Sequence, residues 1–195
     1  SHMLDDLGGR VRSDFAHARF KAFLNRIRST LVGQPATLLS YDEVKEKLRL
    51  GGPVYRGVQV VPLDKIVGSL NRYHQFDRAF MPLEDQTANR WQNIDRAFYQ
   101  EVSLPPVVLY QVGEVYFVVD GHHRVSVARE QGQVFIDAEV RECQSKVNIT
   151  VDLQPEDLEI LGEKVNFLER TALAVAAKDP QHRLGRHVLE LVGDH

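Results

Sequence analysis

The stretch Val118-Val119-Asp120-Gly121-His122-His123-Arg124-Val125 joins an apolar run to a helical pattern, and this junction decides the fold. The apolar run Val115–Val119 predicts a strand, and the pattern from about Val125 to Gln131 predicts a helix ending at Gly132. A tight turn between the two elements places Gly121 where the backbone must bend. The first turn of a helix leaves N–H groups without partners, and here two imidazoles and a guanidinium lie beside them. The sequence therefore predicts a site for phosphate or another anion at this helix N-terminus.

Composition limits the classes of function. The chain has 195 residues, 43% of them hydrophobic, and a formal net charge of −3, which gives no whole-chain attraction to nucleic acid or an anionic membrane. The single cysteine, Cys143, excludes an internal disulfide and a cysteine-rich zinc site, and it fits a reducing compartment. No apolar run approaches a membrane span and no signal-peptide pattern occurs. We therefore predict cytoplasmic localisation and no membrane partner.

The first third of the chain predicts two helices. Residues 4–12 contain two glycines and predict a frayed start, and a helix follows from Ser13, as its N-cap, to Gly33. Its predicted core face is an apolar stripe, Phe15, Phe20, Phe23, Leu24, Ile27 and Leu31. A second helix, about Ser40–Leu50, begins with the capping-box pattern Ser40-x-x-Glu43 and stops at Gly51-Gly52-Pro53. That Gly-Gly-Pro is the predicted boundary before the core, giving segments 1–52, 53–143 and 144–195.

The first helix also carries basic residues, which admit two interpretations. One is a nucleic-acid-contacting face, and the other is the solvated side of an amphipathic helix. These residues are Arg10, Arg12, Arg19, Lys21, Arg26 and Arg28.

The middle of the chain predicts a mixed α/β unit. Its predicted strands are 58–61, 107–111, 115–119 and 136–140, with Val112-Gly113-Glu114 as a hairpin turn. A turn-rich segment, 68–72, and a helix, 83–100, precede the hairpin. After Cys143 we predict a linker or edge strand to 151, then helices at 153–162, 163–178 and 181–192.

Several chemistries compete for the Asp120–Arg124 turn. Adjacent histidines rarely point the same way, so a transition-metal site would lack ligands. A hydrolase would need a nearby nucleophile, and Ser126 lies inside the helix, where packing is the simpler role. A plain capped turn, in which Asp120 caps the helix, stays open.

A phosphate cradle uses every residue of the turn. Gly121 lets the backbone approach, His122 and His123 hold phosphate oxygens, and Arg124 forks onto them. Asp120 would polarise an acceptor hydroxyl or hold Mg²⁺. Across the site, Arg72, His74 and Arg90 could close over the phosphates or could be ordinary surface residues.

Residues 58–142 resemble the ParB/sulfiredoxin fold. The matching pieces are Pro62-Leu63-Asp64-Lys65-Ile66, Leu104-Pro105-Pro106-Val107 and Asp120-Gly121-His122-His123-Arg124. The resemblance covers about 85 of the 195 residues and implies a ParB/sulfiredoxin-like core of a small mixed sheet with helices, flanked by helices at both ends. It also implies that the turn binds nucleotide phosphates.

Three branches of that family differ at the turn. Sulfiredoxins have Cys where this chain has His122, and partitioning ParB proteins have Gly-Glu-Arg-Arg. The free-serine kinase branch has Asp-Gly-His-His-Arg, which this chain matches at all five positions. The kinase branch also has an upstream acidic residue, but the loop 68–75 contains no carboxylate, which leaves Asp77, Glu84 and Asp85 as candidates.

The resemblance implies a nucleotide-binding enzyme that performs phosphoryl transfer or nucleotide hydrolysis. We expect ATP, ADP or CTP as the nucleotide, Mg²⁺ as a candidate cofactor and a small hydroxylated molecule as the acceptor. Asp120 and His122 are the candidate catalytic residues, and Gly121, His122, His123, Arg124, Arg72 and Arg90 the candidate binding residues. The alternative is a ParB-like DNA-binding or nuclease-type protein that uses the basic N-terminal helix. A homo-oligomer is compatible with either.

Overall fold

The computed structural model describes residues 2–33 and 36–178. Its helices are α1 (His2–Val32), α2 (Tyr41–Leu48), α3 (Ala88–Tyr99), α4 (His122–Glu130) and α5 (Leu158–Lys178). Its strands are β1 (Leu39–Ser40), β2 (Val54–Pro62), β3 (Ile66–Ser69), β4 (Val107–Val112), β5 (Val115–Asp120) and β6 (Phe135–Glu142).

The predicted hairpin forms the centre of the sheet. β4 and β5 pair antiparallel around a turn in which Gly113 has φ +59°. β3 adds to β5 and β6 adds to β4, both in parallel, and β1 and β2 complete the edges. In the described part of the chain the order is β1-β3-β5-β4-β6-β2. The mixed α/β class predicted from the sequence is confirmed.

Parallel pairing determines where the site forms. Ser69, the last residue of β3, lies beside Val118 of β5. The two strands therefore end together, next to the turn that opens α4. Side chains from both strand ends and from the start of the helix can meet at this edge of the sheet.

The prediction for the N-terminal helix was wrong at its start and on its face. Residues 4–12 belong to α1, because Val11 is buried and continues the buried face of the helix. That face is narrow and rich in small residues: Val11, Phe15, Ala18 and Ala22 pack toward Trp91 of α3. Most of the predicted core stripe is exposed, namely Phe20, Phe23, Leu24, Ile27 and Leu31. The predicted stop at Gly33 is confirmed, with φ +70°.

Other predicted element boundaries differ from the structure by a few residues. The predicted turn at 68–72 is partly strand, because β3 continues to Ser69. The helix predicted over 83–100 begins at Ala88 after a short 3₁₀ turn, and α4 begins at His122 rather than at Val125. The segment after Cys143 forms no strand up to residue 151, although Val147 and Ile149 are buried in the core.

The two helices predicted on either side of Gly162 are one continuous α5. Gly162 lies where α5 approaches α2, and a Cβ there would be 3.1 Å from the Lys47 carbonyl oxygen. The glycine therefore permits close helix packing instead of ending the helix. The helix predicted at 181–192 lies outside the described residues.

The predicted segments 1–52, 53–143 and 144–195 pack against one another in their described parts. The first contributes β1 to the sheet, and its helix α2 packs with α5 in a cluster that includes Val44, Leu48 and Val165. The boundary at Gly51-Gly52-Pro53 falls between α2 and β2. Across residues 2–33 and 36–178, no helix combines the length and the apolar character needed to cross a membrane.

Two carboxyls, the buried Asp95 and the partly buried Asp14, join α1 to α3. The Gln131 amide donates to Asp14 at 3.2 Å and to Asp95 at 2.6 Å, and the Tyr99 hydroxyl donates to Asp14 at 2.6 Å. Burial raises the pKa of the Asp95 carboxyl to about 7, and a hydrogen bond with Asp14 contributes. Near neutral pH the Asp95 carboxyl is therefore partly protonated, which avoids a second full charge beside Asp14.

We predict that Gly68→Ala destabilises the protein by about 1–3 kcal/mol through overpacking. A Cβ at Gly68 would lie 2.4 Å from the Phe117 ring and 2.5 Å from the Leu39 carbonyl oxygen. Urea unfolding measures the change. Gly52→Ala is the matched control, because a Cβ there meets nothing within 4 Å. Equal stability of the two variants would contradict this packing.

We predict that Asp95→Asn reduces the pH dependence of stability. The raised pKa means that the folded protein binds a proton more tightly than the unfolded chain, so stability falls as the pH rises from about 4 through 7. The variant should gain melting temperature over wild type at pH 8, by about 2–4 °C per kcal/mol. Asp5→Asn, at an exposed carboxylate of the same helix as Asp14, is the control. A melting profile of Asp95→Asn that falls like wild type between pH 5 and pH 8 would refute the raised pKa of Asp95.

Candidate functional site

The turn between β5 and α4 depends on Gly121. It has φ +102°, in the left-handed region that favours glycine, and forms the N-cap of α4. A Cβ at this position would lie 2.5 Å from Val107 Cγ1. Among the described residues no side chain caps the helix, so Asp120 does not satisfy its first N–H groups. The free N–H groups and the partial positive charge of the helix are therefore available to a ligand.

A cavity of about 450 Å³ surrounds this turn. All seven residues predicted for the site line it: Arg72, Arg90, Asp120, Gly121, His122, His123 and Arg124. Asn71, Asn93, Ile94 and Val119 complete the lining. Arg72 and Arg90 are distant from the turn in sequence. They lie near it in space because β3 ends beside β5 and α3 packs against α4.

Arg72 and Arg90 supply positive charge to the cavity, and both charges act on His123. In the described part of the chain, neither guanidinium forms an ion pair or a side-chain hydrogen bond. The third upstream candidate, His74, is exposed and does not line the cavity; its ring lies 4.0 Å from that of Tyr73.

His122 is fixed by Ser69. The Ser69 hydroxyl and His122 Nε2 are 2.6 Å apart, and the same hydroxyl accepts from the Arg72 N–H at 3.0 Å. Burial lowers the pKa of His122 to about 4, and the charge of Arg72 contributes. The ring is therefore neutral at pH 7, and Ser69 connects the turn to the loop that carries Arg72.

Sequence reasoning missed Ser69. We predicted it to lie in a turn, and no motif includes it. The available signal was the parallel strand pair, because recognising 66–69 as a partner of β5 would have placed Ser69 at the strand end beside His122.

His123 has two ring nitrogens that are buried and lack partners within residues 2–33 and 36–178. The Phe76 ring packs edge-on against His123, with 5.4 Å between the ring centroids. Burial lowers its pKa to about 4, with contributions from the charges of Arg72 and Arg90. A neutral imidazole carries one donor and one acceptor. Leaving both unpaired is costly. Both nitrogens are shielded from solvent, so a ligand in the cavity would reach them only after the ring turns or its neighbours shift.

Arg124 is already engaged by its own chain. Its guanidinium donates to the carbonyl oxygens of Pro105 and Pro106 and lies 3.1 Å from an Asp120 oxygen. This ties the Leu104-Pro105-Pro106 segment to the site. The Asp120 side chain is 73% exposed, at the rim of the cavity.

Asp120 is the only carboxylate among the residues that line this cavity. Asp77 is buried elsewhere and accepts from the N–H groups of Ala79 and Met81, both at 2.9 Å. Glu84 is exposed, and Asp85 lies 3.1 Å from Arg19. The three candidates for an upstream acidic partner are therefore absent from the cavity wall. No group of three metal-binding side chains occurs within residues 2–33 and 36–178.

Two further predictions concern neighbouring residues. Ser126 is fully buried and accepts from Trp91 Nε1 at 2.9 Å, which confirms its predicted packing role. On α1, Arg19 also donates to the Leu83 carbonyl oxygen at 2.5 Å, and Lys21 lies 3.0 Å from Glu130. These contacts reduce the basic surface that DNA could reach, and DNA binding stays an untested prediction.

Comparisons with known proteins give one structural match. No protein-family model matches the chain, and no curated protein is similar enough to match. Among solved structures, sulfiredoxin from Arabidopsis thaliana is similar over 46% of this chain and 89% of that chain, with 21% sequence identity and a TM-score of 0.35. The mixed α/β fold class is therefore assigned from the sheet described above.

We predict that the two histidines respond differently to loss of the arginines. Arg72→Ala should raise the pKa of both rings, because the Arg72 charge lowers both. Arg90→Ala should raise only the pKa of His123. Imidazole resonances followed by NMR between pH 3 and pH 8 measure this. An unchanged His123 in both variants would show that the arginines do not face the ring.

Proposed function

We propose that the protein binds a nucleotide with its phosphates at the Asp120–Arg124 turn and transfers or hydrolyses the terminal phosphoryl group. The observation that carries the proposal is the cavity at the turn. It brings the uncapped N-terminus of α4 together with Arg72 and Arg90, which form no ion pair in the described part of the chain, and His123 lines it as well.

The charges of the cavity favour an anion. Arg72 and Arg90 face the opening of α4, while Asp120 and Arg124 offset each other in an ion pair. Both histidines are neutral near pH 7, so they act as hydrogen-bonding groups and add no charge. Neutral N–H donors, helical N–H groups and flexible arginines together match the oxygens of a phosphate chain.

The size and the other walls of the cavity favour a nucleotide over inorganic phosphate. A volume of about 450 Å³ falls within the usual range for small-molecule sites, and Ile94 and Asn93 offer apolar and polar contacts beyond the turn. The resemblance of Asp-Gly-His-His-Arg to the free-serine kinase branch supports phosphoryl transfer in particular.

The proposed reaction uses Asp120 as the base. An acceptor hydroxyl oxygen forms a bond with the terminal phosphorus, and the bond from that phosphorus to the bridging oxygen breaks. The electron pair leaves with the shortened nucleotide, and the hydroxyl proton passes to Asp120. Arg72 and Arg90 stabilise the charge on the transferring group. His122, fixed by Ser69, holds the turn in position.

Mg²⁺ fits this site only together with the nucleotide. Asp120 is the sole carboxylate available, and Mg²⁺ is commonly bound by one or two carboxylates and the substrate phosphates. When bound, the ion would neutralise phosphate charge.

Calorimetric titration with ATP, ADP and CTP, with and without Mg²⁺, tests the binding. We expect saturable heat with at least one nucleotide, and roughly 10-fold or greater weakening in Arg72→Ala and Arg90→Ala, because each loses a charged contact. Arg170→Ala, at an exposed arginine of α5 outside the cavity, should bind like wild type. Absence of heat with all three nucleotides would overturn the proposal.

Asp120→Asn separates binding from chemistry. It should retain nucleotide affinity within about threefold and lower the rate of phosphate release by about 100-fold or more, because it lacks a base. Phosphate release is measured by a coupled colour assay. Equal rates in wild type and Asp120→Asn would contradict the role of the carboxylate. Nucleotide binding without phosphate release by the wild type would exclude hydrolysis and leave transfer to an added acceptor or ligand binding without turnover.

A further inference from the structure

A second cavity of about 490 Å³ lies directly beside the phosphate cavity. Ile94 and Arg124 line both. Gly121, on the first cavity, touches Val107, which lines the second. We call this second cavity the acidic groove and define it by Phe98, Glu101, Val107, Phe135 and Asp137.

The acidic groove has the opposite charge to the phosphate cavity. Glu101 follows the C-terminus of α3, and Asp137 lies on β6; both are exposed. Neither carboxylate forms an ion pair in the described part of the chain. The one cation on the groove wall, Arg124, is offset by Asp120 at 3.1 Å. The groove therefore has two uncompensated negative charges beside a site with two uncompensated positive ones.

The rest of the groove wall is apolar and partly open to solvent. Phe135 is 55% exposed, Val102 is 52% exposed and Leu104 is 38% exposed. Burying such surface stabilises a complex with an apolar ligand. The groove thus combines an apolar wall with carboxylates, which matches a molecule that has an apolar body and a cationic group.

We propose that the acidic groove binds the phosphoryl acceptor, and that this acceptor is an amino alcohol with an apolar body and no carboxylate. The inference rests on the proposed function, because it assigns the acceptor of the same reaction. The ammonium group would pair with Glu101 and Asp137, and the hydroxyl would lie toward Asp120, across Arg124. A free amino acid would bring its own carboxylate toward these two, and repulsion would disfavour it.

Three related probes test the chemistry of the groove by calorimetry on the full chain, with and without saturating ADP. Phenylethanolamine carries the ammonium, phenylethylene glycol replaces it with a neutral hydroxyl, and phenylserine adds a carboxylate. We expect phenylethanolamine to bind at least about fivefold more tightly than either of the others, as expected for partly exposed ion pairs.

Substitutions in the acidic groove test which residues contact the probes. Asp137→Asn and Glu101→Gln should each reduce the preference for phenylethanolamine over phenylethylene glycol. Phe98→Ala should weaken both probes to a similar extent, because both bury the phenyl ring. Glu114→Gln, at an exposed carboxylate in the β4–β5 turn, is the matched control and should leave the preference unchanged.

The outcomes separate this inference from the proposed function. Binding of phenylethanolamine that depends on Asp137 and Glu101 supports the groove even if no nucleotide binds. Equal affinity for the three probes, or a preference that survives in both Asp137→Asn and Glu101→Gln, overturns the groove assignment even if ATP or ADP binds. Phenylserine as the tightest probe would overturn it as well.

Discussion

The missing side chain at Gly121 is the constraint on which the site depends. With φ +102° and the Val107 side chain at the distance of a steric clash for any Cβ, this position accepts essentially only glycine. The close approach lets α4 start immediately after β5, with its N–H groups uncapped. The phosphate cavity and the acidic groove meet beside this turn, where Arg124 lines both. A bulkier residue would force β4 and α4 apart and change both.

The sequence was informative where the signal was local. The apolar runs of β4 and β5 and the turn at Gly113 predicted the hairpin, and the abrupt change of pattern at Asp120 predicted the strand-turn-helix junction. The sequence also predicted Arg72 and Arg90 as candidates in the loop and helix upstream of the turn. The structure then places Arg72 and Arg90 on the cavity wall.

The errors arose where tertiary packing overrides local pattern. The large apolar residues of α1 predicted one face, yet the helix packs through Ala18 and Ala22 because small residues allow a close approach to Trp91. Gly162 has the composition of a helix stop but occupies a helix crossing. Ser69 was missed because its role depends on pairing between β3 and β5, strands that are far apart in sequence. Side-chain partners of this kind are fixed by topology, which spacing within one segment does not encode.

The burial of His122 and His123 determines which solution condition controls the proposed anion site. Because both rings stay neutral down to about pH 4, the positive charge of the cavity comes from arginines and from a helix terminus, none of which titrates near neutrality. Acidification from pH 8 to pH 6 therefore leaves the protein side of the attraction almost unchanged. Ionic strength acts instead, since Arg90 lies at the surface and the Debye length shrinks from about 30 Å at 0.01 M to about 8 Å at 0.15 M. A change in the salt content of the surroundings would therefore tune the protein side of this attraction, whereas a change in acidity would act through the ligand's phosphate, whose second pKa is about 6.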